Sequence, residues 1–459
     1  MITIPLFEAC VAIGGRPNKY ISPVDYLNDV TQNSKEVVKG TLFVALRGNR
    51  VDGHDFIREA QNSGAIAAVV EYEVKDLDIN IPQLIVPSTV EALGNLARIW
   101  RGRLKIPLVA VTGSVGKTST KELIAHTLEC KYKTHKSRKN FNNQLGVPIE
   151  LLKLQKEHQC SVVELAMRGL NQINYLSKIA RPTISAITNI GMSHMEMLGT
   201  RENIAKAKAE IYEGMDSEAV IILNKDDQFF DFIKELANCR VVSFGENKDA
   251  DVRISDIQLN QAGNPTFRLN GVPITMVNCL GKHHAYNAAI AYTVGMELGV
   301  KQEDIANRIS TSYTPEGRGV ASTAKIGAIL LDSTYNAAPD SIKAALYTLS
   351  EMRQRGKRTV AVIGEMLELG THSEEAHRHI GRLMAKLGAV EALVTVGEYA
   401  KFIGEEAKIN NWEHFENSIL ASKHLLNAIG RNDIVLLQGS QAVSLEIVVR
   451  TLENGKLDV

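Results

Sequence analysis

The stretch Val109 to Lys121, VAVTGSVGKTSTK, constrains this chain more than any other. An apolar run stops at Thr112, the loop Gly113-Ser114-Val115-Gly116-Lys117-Thr118-Ser119 follows, and a helical pattern is expected from Lys121. Glycines free the backbone to wrap a phosphate chain, Lys117 supplies a cation, and the Thr118 hydroxyl suits Mg²⁺, all at the start of a helix whose dipole favours anions. The common form of such a loop has a glycine where Val111 stands. This one is a shorter variant starting at Gly113, which argues against ordinary kinases and nucleotide switches.

At 459 residues the chain exceeds what one core supports, and a norm of about 150 residues per domain predicts three domains. Lys plus Arg and Asp plus Glu are each 52, so no global field draws the chain to nucleic acid or an anionic membrane. The basic cluster from Lys131 to Lys139 reads as a local, solvated loop. Cys10, Cys130, Cys160, Cys239 and Cys279 have no paired spacing, which argues against a disulfide framework or a zinc site and for a reducing compartment. No run approaches a membrane span, and Glu8 interrupts the first apolar residues. The expectation is a cytoplasmic monomer with no membrane insertion and no nucleic-acid partner.

The fold class is α/β in three domains: a small unit over 1–104, a central phosphate-loop unit with a parallel sheet over 105–314, and a Rossmann-like unit over 315–459. In the first, 41–48 and 65–71 read as strands around a helix at 55–63, and a helix from Thr89 to Arg101 runs into the boundary RGRLKIP. In the second, the buried strands 109–113, 161–167, 183–190 and 219–224 alternate with helices, so ligands belong at their carboxyl ends. The stretch 244–277 reads as an antiparallel excursion, and a helix from His284 to Leu298 closes the unit. In the third, 328–334, 358–366, 392–397 and 433–440 are strands between helices.

Those carboxyl ends carry the candidate chemistry. Glu164 can reach a cation held by the phosphate loop, and His194 sits just beyond a neighbouring strand end, where a metal or phosphate role competes with a bland one. Lys206 and Lys208 lie among alanines in one helix. Lys208 can point inward, where a buried and therefore neutral amine could react with CO₂ to give an anionic carbamate. Asn287, an amide in a small apolar helix, suits adenine or an interhelical contact equally well. Arg318, between two glycines, is suited to phosphate, and Asp332 to ribose hydroxyls or an orienting role. The spacing of His372, His377 and His379 gives solvated or capping histidines rather than a metal cluster.

TGSVGKTSTKE, NFNNQLGVP (140–148), ELAM (164–167), ITNIGMSHMEMLG (187–199), AKAKAEIYEG (205–214), HHAYNAAIA (283–291) and DSTYNAAPDS (332–341) occur in order, with VDGHDF (51–56) before them and IGEMLELGTHSEEAHRHIG (363–381) after. Together they resemble the Mur ligase superfamily, and within it the branch that joins D-alanyl-D-alanine to a UDP-N-acetylmuramoyl-tripeptide. The resemblance implies an ATP-dependent amide ligase acting through an acyl phosphate in peptidoglycan precursor synthesis. By it, Thr112 to Ser119, Asn287, Arg318 and Asp332 would hold ATP, and Thr118, Glu164, His194 and a carbamylated Lys208 would hold Mg²⁺. Lys117, Lys208, His194 and Glu164 would carry catalysis, with Ser34, Lys35, Asn142, Arg168, Tyr335 and Asn336 on the substrates.

The sequence also departs from that family. Asn33-Ser34-Lys35 stands for Asp-Ser-Arg in the first domain, Ala338 for Asn, Leu445-Glu446 for Met-Glu, and Gln438-Gly439-Ser440-Gln441 for Lys-Gly-Ser-Arg. Two cations are thereby missing where the carboxylate of an incoming amine would be read. A sister Mur ligase or a folylpolyglutamate-synthetase-like ligase with another amine is therefore an alternative. From other classes, a phosphate-loop NTPase motor and a nucleotide-binding scaffold stay open.

Overall fold

In the computed structural model, which describes residues 2–48, 50–76, 78–138, 140–353 and 356–457, the chain builds three α/β units. The first holds a five-stranded sheet in the order Arg16–Pro17, Gln83–Ile85, Ala65–Val70, Thr41–Val44, Asp29–Thr31. All pairs in it are parallel except the outermost, Arg16–Pro17 against Gln83–Ile85. The run expected over 41–48 is extended only to Val44, because the chain then turns and Gly53 returns its N–H to the Leu46 carbonyl.

The middle unit is a nine-stranded sheet whose parallel part runs Thr134–Lys136, Cys160–Glu164, Leu108–Thr112, Ile184–Ile187, Val220–Asn224, Arg240–Gly245. Val252–Leu259 continues it in parallel, and Pro265–Leu269 with Val272–Thr275 adds the antiparallel edge expected from the polar stretch. Leu108–Thr112 is buried at every position, as a central strand covered on both faces must be. The helix after it starts at Lys117, not Lys121: Gly116 takes a left-handed backbone (φ 82°) and turns the chain straight into Lys117–Leu128. Lys117 and Thr118 thus stand in its first turn.

The third unit has a six-stranded sheet ordered Val320–Thr323, Ile329–Ser333, Asp433–Gln438, Arg358–Gly364, Ala392–Val396, Trp412–Phe415, parallel apart from its first pair. Its two cores are built from its own residues except for Leu280, which the middle unit contributes to one of them. The first and middle units instead share one continuous apolar core, from Ile4 and Leu42 through Leu93 and Trp100 to Leu108 and Ile221. The helix Thr89–Arg103 joins them: Trp100 donates its indole N–H to the Leu154 carbonyl at 2.9 Å, and the Arg101 guanidinium spans the carbonyls of Leu104, Ile106 and Ala180.

Two sequence expectations need correction. His377 is fully buried rather than solvated or capping; it accepts the Met366 N–H at Nε2 (2.9 Å) and pairs Nδ1 with the Ser373 carbonyl (2.6 Å), pinning the loop after Arg358–Gly364. The basic cluster is not a solvated loop throughout, since Lys131 caps the carbonyls of Leu298 and Gly299, Lys136 pairs with Glu122 and Arg138 with Glu150. Lys139 lies outside the described residues. The five cysteines are free, and no helix among the described residues is long and apolar enough to cross a membrane.

Candidate active site

The carboxyl ends of the middle and third sheets face one another across a cleft of about 1290 Å³. On the middle side, the loop Gly113 to Gly116 leaves its strand with Gly113 at φ 148°, pressed so close to Thr188 that a Cβ there would sit 1.8 Å from the threonine Oγ1. Thr188 and Asn189 hold the Val115 carbonyl at 2.6 and 3.1 Å, and Asn189 also accepts the N–H groups of Ser114 and Val115. No side chain caps the helix that follows, whose first internal bond is Thr120 N–H to the Gly116 carbonyl. The N–H groups of Lys117, Thr118 and Ser119 precede that bond and are the donors a phosphate meets.

At the rim of this loop Thr118 donates its hydroxyl to Glu164 Oε2 at 2.6 Å, and Asn142 donates to Glu164 Oε1 at 2.9 Å. Lys117 folds back onto the carbonyls of Gly113 (2.8 Å) and Ser114 (3.2 Å). Lys208, 1 % exposed, reaches the same Gly113 carbonyl from the helix Arg201–Ala209, also at 2.8 Å. Burial pulls the Lys208 amine well below its ordinary pKa, and the Lys117 charge adds to the effect while Glu164 opposes it. The Lys117 side chain is partly open along the cleft, but its amine is sunk among the loop carbonyls and its pKa is lowered too, by burial, with the Glu164 charge opposing the effect and Arg318 adding to it.

Asn287 lines the cleft and accepts the Thr120 hydroxyl at 3.1 Å, so it makes the interhelical contact while its amide nitrogen stays available to a base. His194, at left-handed φ 66°, pairs Nδ1 with Glu368 Oε2 of the third unit at 2.9 Å, and Arg168 lies 3.9 Å from Glu368 Oε1. The third unit brings Arg318 with its guanidinium 3.9 Å from the Tyr335 ring centroid, the Tyr335 hydroxyl against Asn140, and Asn336.

Most sequence-selected residues therefore meet in one cleft; six do not line it with the rest, among them Gly113, whose carbonyl is turned to Lys117 and Lys208. Thr112 and Lys208 lie beneath the loop. Asp332 turns its carboxylate to the Thr334 N–H and hydroxyl (3.0 and 2.7 Å). Ser34 and Lys35 sit in a short 3-10 turn of the first unit, capped by Asn33. The sequence reading passed over Glu368, Asp340 and Asp227. Their signal was present, since Glu368 follows the strand end Gly364 and Asp227 follows Asn224, but an acidic residue in a loop looks like any solvated one.

A model of the Mur ligase middle domain matches residues 111–295, one of the Mur ligase glutamate ligase domain matches 319–441, and one of the Mur ligase family catalytic domain matches 27–101. The UDP-N-acetylmuramoyl-tripeptide--D-alanyl-D-alanine ligase of Bacillus subtilis is 32% identical over 435 residues, 93% of each chain. The chain belongs to the Mur ligase family. Among solved structures this Mur ligase is similar to MurF from Acinetobacter baumannii, with 32% identity, a TM-score of 0.91 and 99% of each chain covered. It is also similar to a MurF ligase from Thermotoga maritima in complex with ADP, at 29% identity and a TM-score of 0.83, covering 93% of this chain and 97% of that one.

Proposed function

We propose that this Mur ligase uses ATP to join D-alanyl-D-alanine to a UDP-N-acetylmuramoyl-tripeptide in the cytoplasm, as a step of peptidoglycan precursor synthesis. The observation that carries the reading is the cleft itself: a phosphate loop with the Thr118–Glu164 pair at its rim faces a second parallel sheet's carboxyl edge, with room between for two further substrates. The uridine-linked substrate is assigned to the unit 1–104, with Ser34 and Lys35 toward it, ATP to 105–314 and the amine to 315–459.

In the proposed reaction, a carboxylate oxygen of the tripeptide attacks the γ-phosphorus and the bond to the ADP oxygen breaks. The amine nitrogen then attacks the acyl carbon; the resulting tetrahedral intermediate collapses with loss of phosphate, and the nitrogen gives up a proton. Lys117, drawn from the carbonyls it now holds, neutralises charge developing on the γ-phosphoryl oxygens, while the N–H groups of Lys117 to Ser119 orient the β-phosphate. Asn287 faces the adenine, and Arg318 approaches the phosphates from the third unit with Tyr335 beneath its guanidinium. Asn142, Arg168 and Asn336 contact the peptide substrates. Closing the third unit over the middle one excludes water from the acyl phosphate.

The oxygen donors Thr118 Oγ1 and Glu164 Oε2, side by side at the loop rim, fit a hard divalent cation that keeps phosphate oxygens and water as its other ligands. Bound there, Mg²⁺ would offset charge on the β- and γ-phosphates. His194 would serve a second ion through the ring nitrogen that does not face Glu368. Burial favours the neutral form of Lys208, which has the lone pair to take CO₂ and release a proton, and the carbamate would be a further anionic ligand.

Phosphate release measured with UDP-N-acetylmuramoyl-tripeptide, ATP, Mg²⁺ and a panel of amines tests the reading. Release with D-alanyl-D-alanine is expected. Release with another amine only points to a sister ligase, turnover without any amine to a motor, and binding without turnover to a scaffold.

A further inference from the structure

Three successive backbone N–H groups precede Ser193 and His194, and each is held by a different segment. Ile190 N–H goes to Asp227 Oδ2 at 2.7 Å, Gly191 N–H to Ser114 Oγ at 2.8 Å, and Met192 N–H to Asp340 Oδ2 at 3.2 Å. Asp227 and Ser114 belong to the same unit as the loop, and Ser114 is part of the phosphate loop itself. Asp340 does not: it stands in the first turn of the helix Pro339–Met352 of the third unit. The third hydrogen bond therefore exists only while that unit is docked.

Gly191 makes the approach possible. A Cβ on it would lie 2.2 Å from Asp340 Oδ2 and 3.2 Å from the Ser114 Cβ, although its backbone is outside the left-handed region. The glycine is thus fitted to the carboxylate rather than to its own torsion.

We propose that Asp340 is a positioning residue for the ligase reaction: by taking the Met192 N–H it sets the loop carrying Ser193 and His194 in its working place when the third unit closes on the middle one. Docking of the third unit and placement of Ser193 and His194 are then one event, and His194 meets Glu368 at 2.9 Å as part of it. Asp340 acts through the Met192 N–H it accepts. Its effect falls on turnover and leaves nucleotide binding to the phosphate loop, which Asn189 and Thr188 hold independently.

The inference rests on the ligase reading above, and steady-state kinetics on four variants of the full chain test it. Asp340→Ala lowers kcat about 10- to 100-fold, the loss expected when a charge-assisted hydrogen bond is removed. Its KM for ATP, and its affinity for a fluorescent ATP analogue, stay within about twofold of wild type. Asp340→Asn, which keeps an acceptor oxygen, recovers activity to within about threefold. Gly191→Ala, which displaces the carboxylate without removing it, reproduces the Asp340→Ala loss, and the double variant falls no further than the worse single one because both break the same contact. Additive losses, an Asn variant as poor as the Ala variant, an unchanged kcat in Asp340→Ala, or a parallel fall in nucleotide affinity would each overturn the proposal. Absence of turnover in the wild type would instead sink the ligase reading, and this inference with it.

Discussion

Lys117 and Lys208 donate to one and the same oxygen, the carbonyl of Gly113, each at 2.8 Å. Both amines are removed from water, so each has its pKa depressed, and the Lys117 charge depresses Lys208 further. Burial thus favours loss of a proton at Lys208, while an arriving anion favours the charged form of Lys117.

Lys208 links pH to stability with a definite sign. Its folded pKa lies well below the unfolded 10.5, so between those values the unfolded chain binds more protons and stability rises with pH. Replacing it by methionine removes that rise, which urea unfolding across the alkaline range measures. Lys208→Ala loses most activity and regains part of it with a short-chain carboxylate, and ¹³CO₂ gives the active wild type a carbamate signal by NMR. An unmodified lysine in active enzyme contradicts the carbamate.

Nucleotide binding takes up protons. In the free protein Lys117 has a lowered pKa, and a triphosphate beside it raises that value, so affinity weakens as pH rises through the free Lys117 pKa. Titration calorimetry in buffers of different ionisation enthalpy reads the uptake directly. Lys117→Met abolishes it and weakens ATP binding.

Glu164 accepts from both Thr118 and Asn142, at 2.6 and 2.9 Å. Glu164→Gln preserves the shape and removes the anion. The Mg²⁺ concentration needed for half-maximal activity rises about tenfold or more, with little change in the melting temperature.

Arg101 is the rivet between the first and middle units. Its guanidinium meets the carbonyls of Leu104, Ile106, Ala180 and Arg181, and burial brings its pKa down to about 10. Arg101→Met strands those carbonyls and costs about 3 kcal/mol, read as a lower urea midpoint.

Much of this was legible in the sequence, and the limits are physical. Period and apolar runs placed the strand Leu108–Thr112 and its parallel neighbours, because a strand buried on both faces has no polar positions to hide it. The start of the helix was misplaced by four residues, since Gly116 turns the chain left-handed, an effect no apolar period records. Lys208 could be singled out as an inward lysine, but not its partner, because a hydrogen bond to the Gly113 carbonyl leaves no mark on side-chain types. Asp340, Glu368 and Asp227 were missed for the same reason: each works by its distance from a loop in another segment. His377, taken as solvated, is buried because it accepts a backbone N–H from the preceding loop.

The central claim is that the cleft activates a carboxylate as an acyl phosphate. It is tested most directly with UDP-N-acetylmuramoyl-tripeptide carrying ¹⁸O in the reacting carboxyl group, incubated with ATP, Mg²⁺ and D-alanyl-D-alanine. The oxygen that attacks the γ-phosphorus leaves with it, so mass spectrometry should find one ¹⁸O in each released phosphate and the amide-linked product beside it. Phosphate free of label, released while the amide forms, would contradict the account.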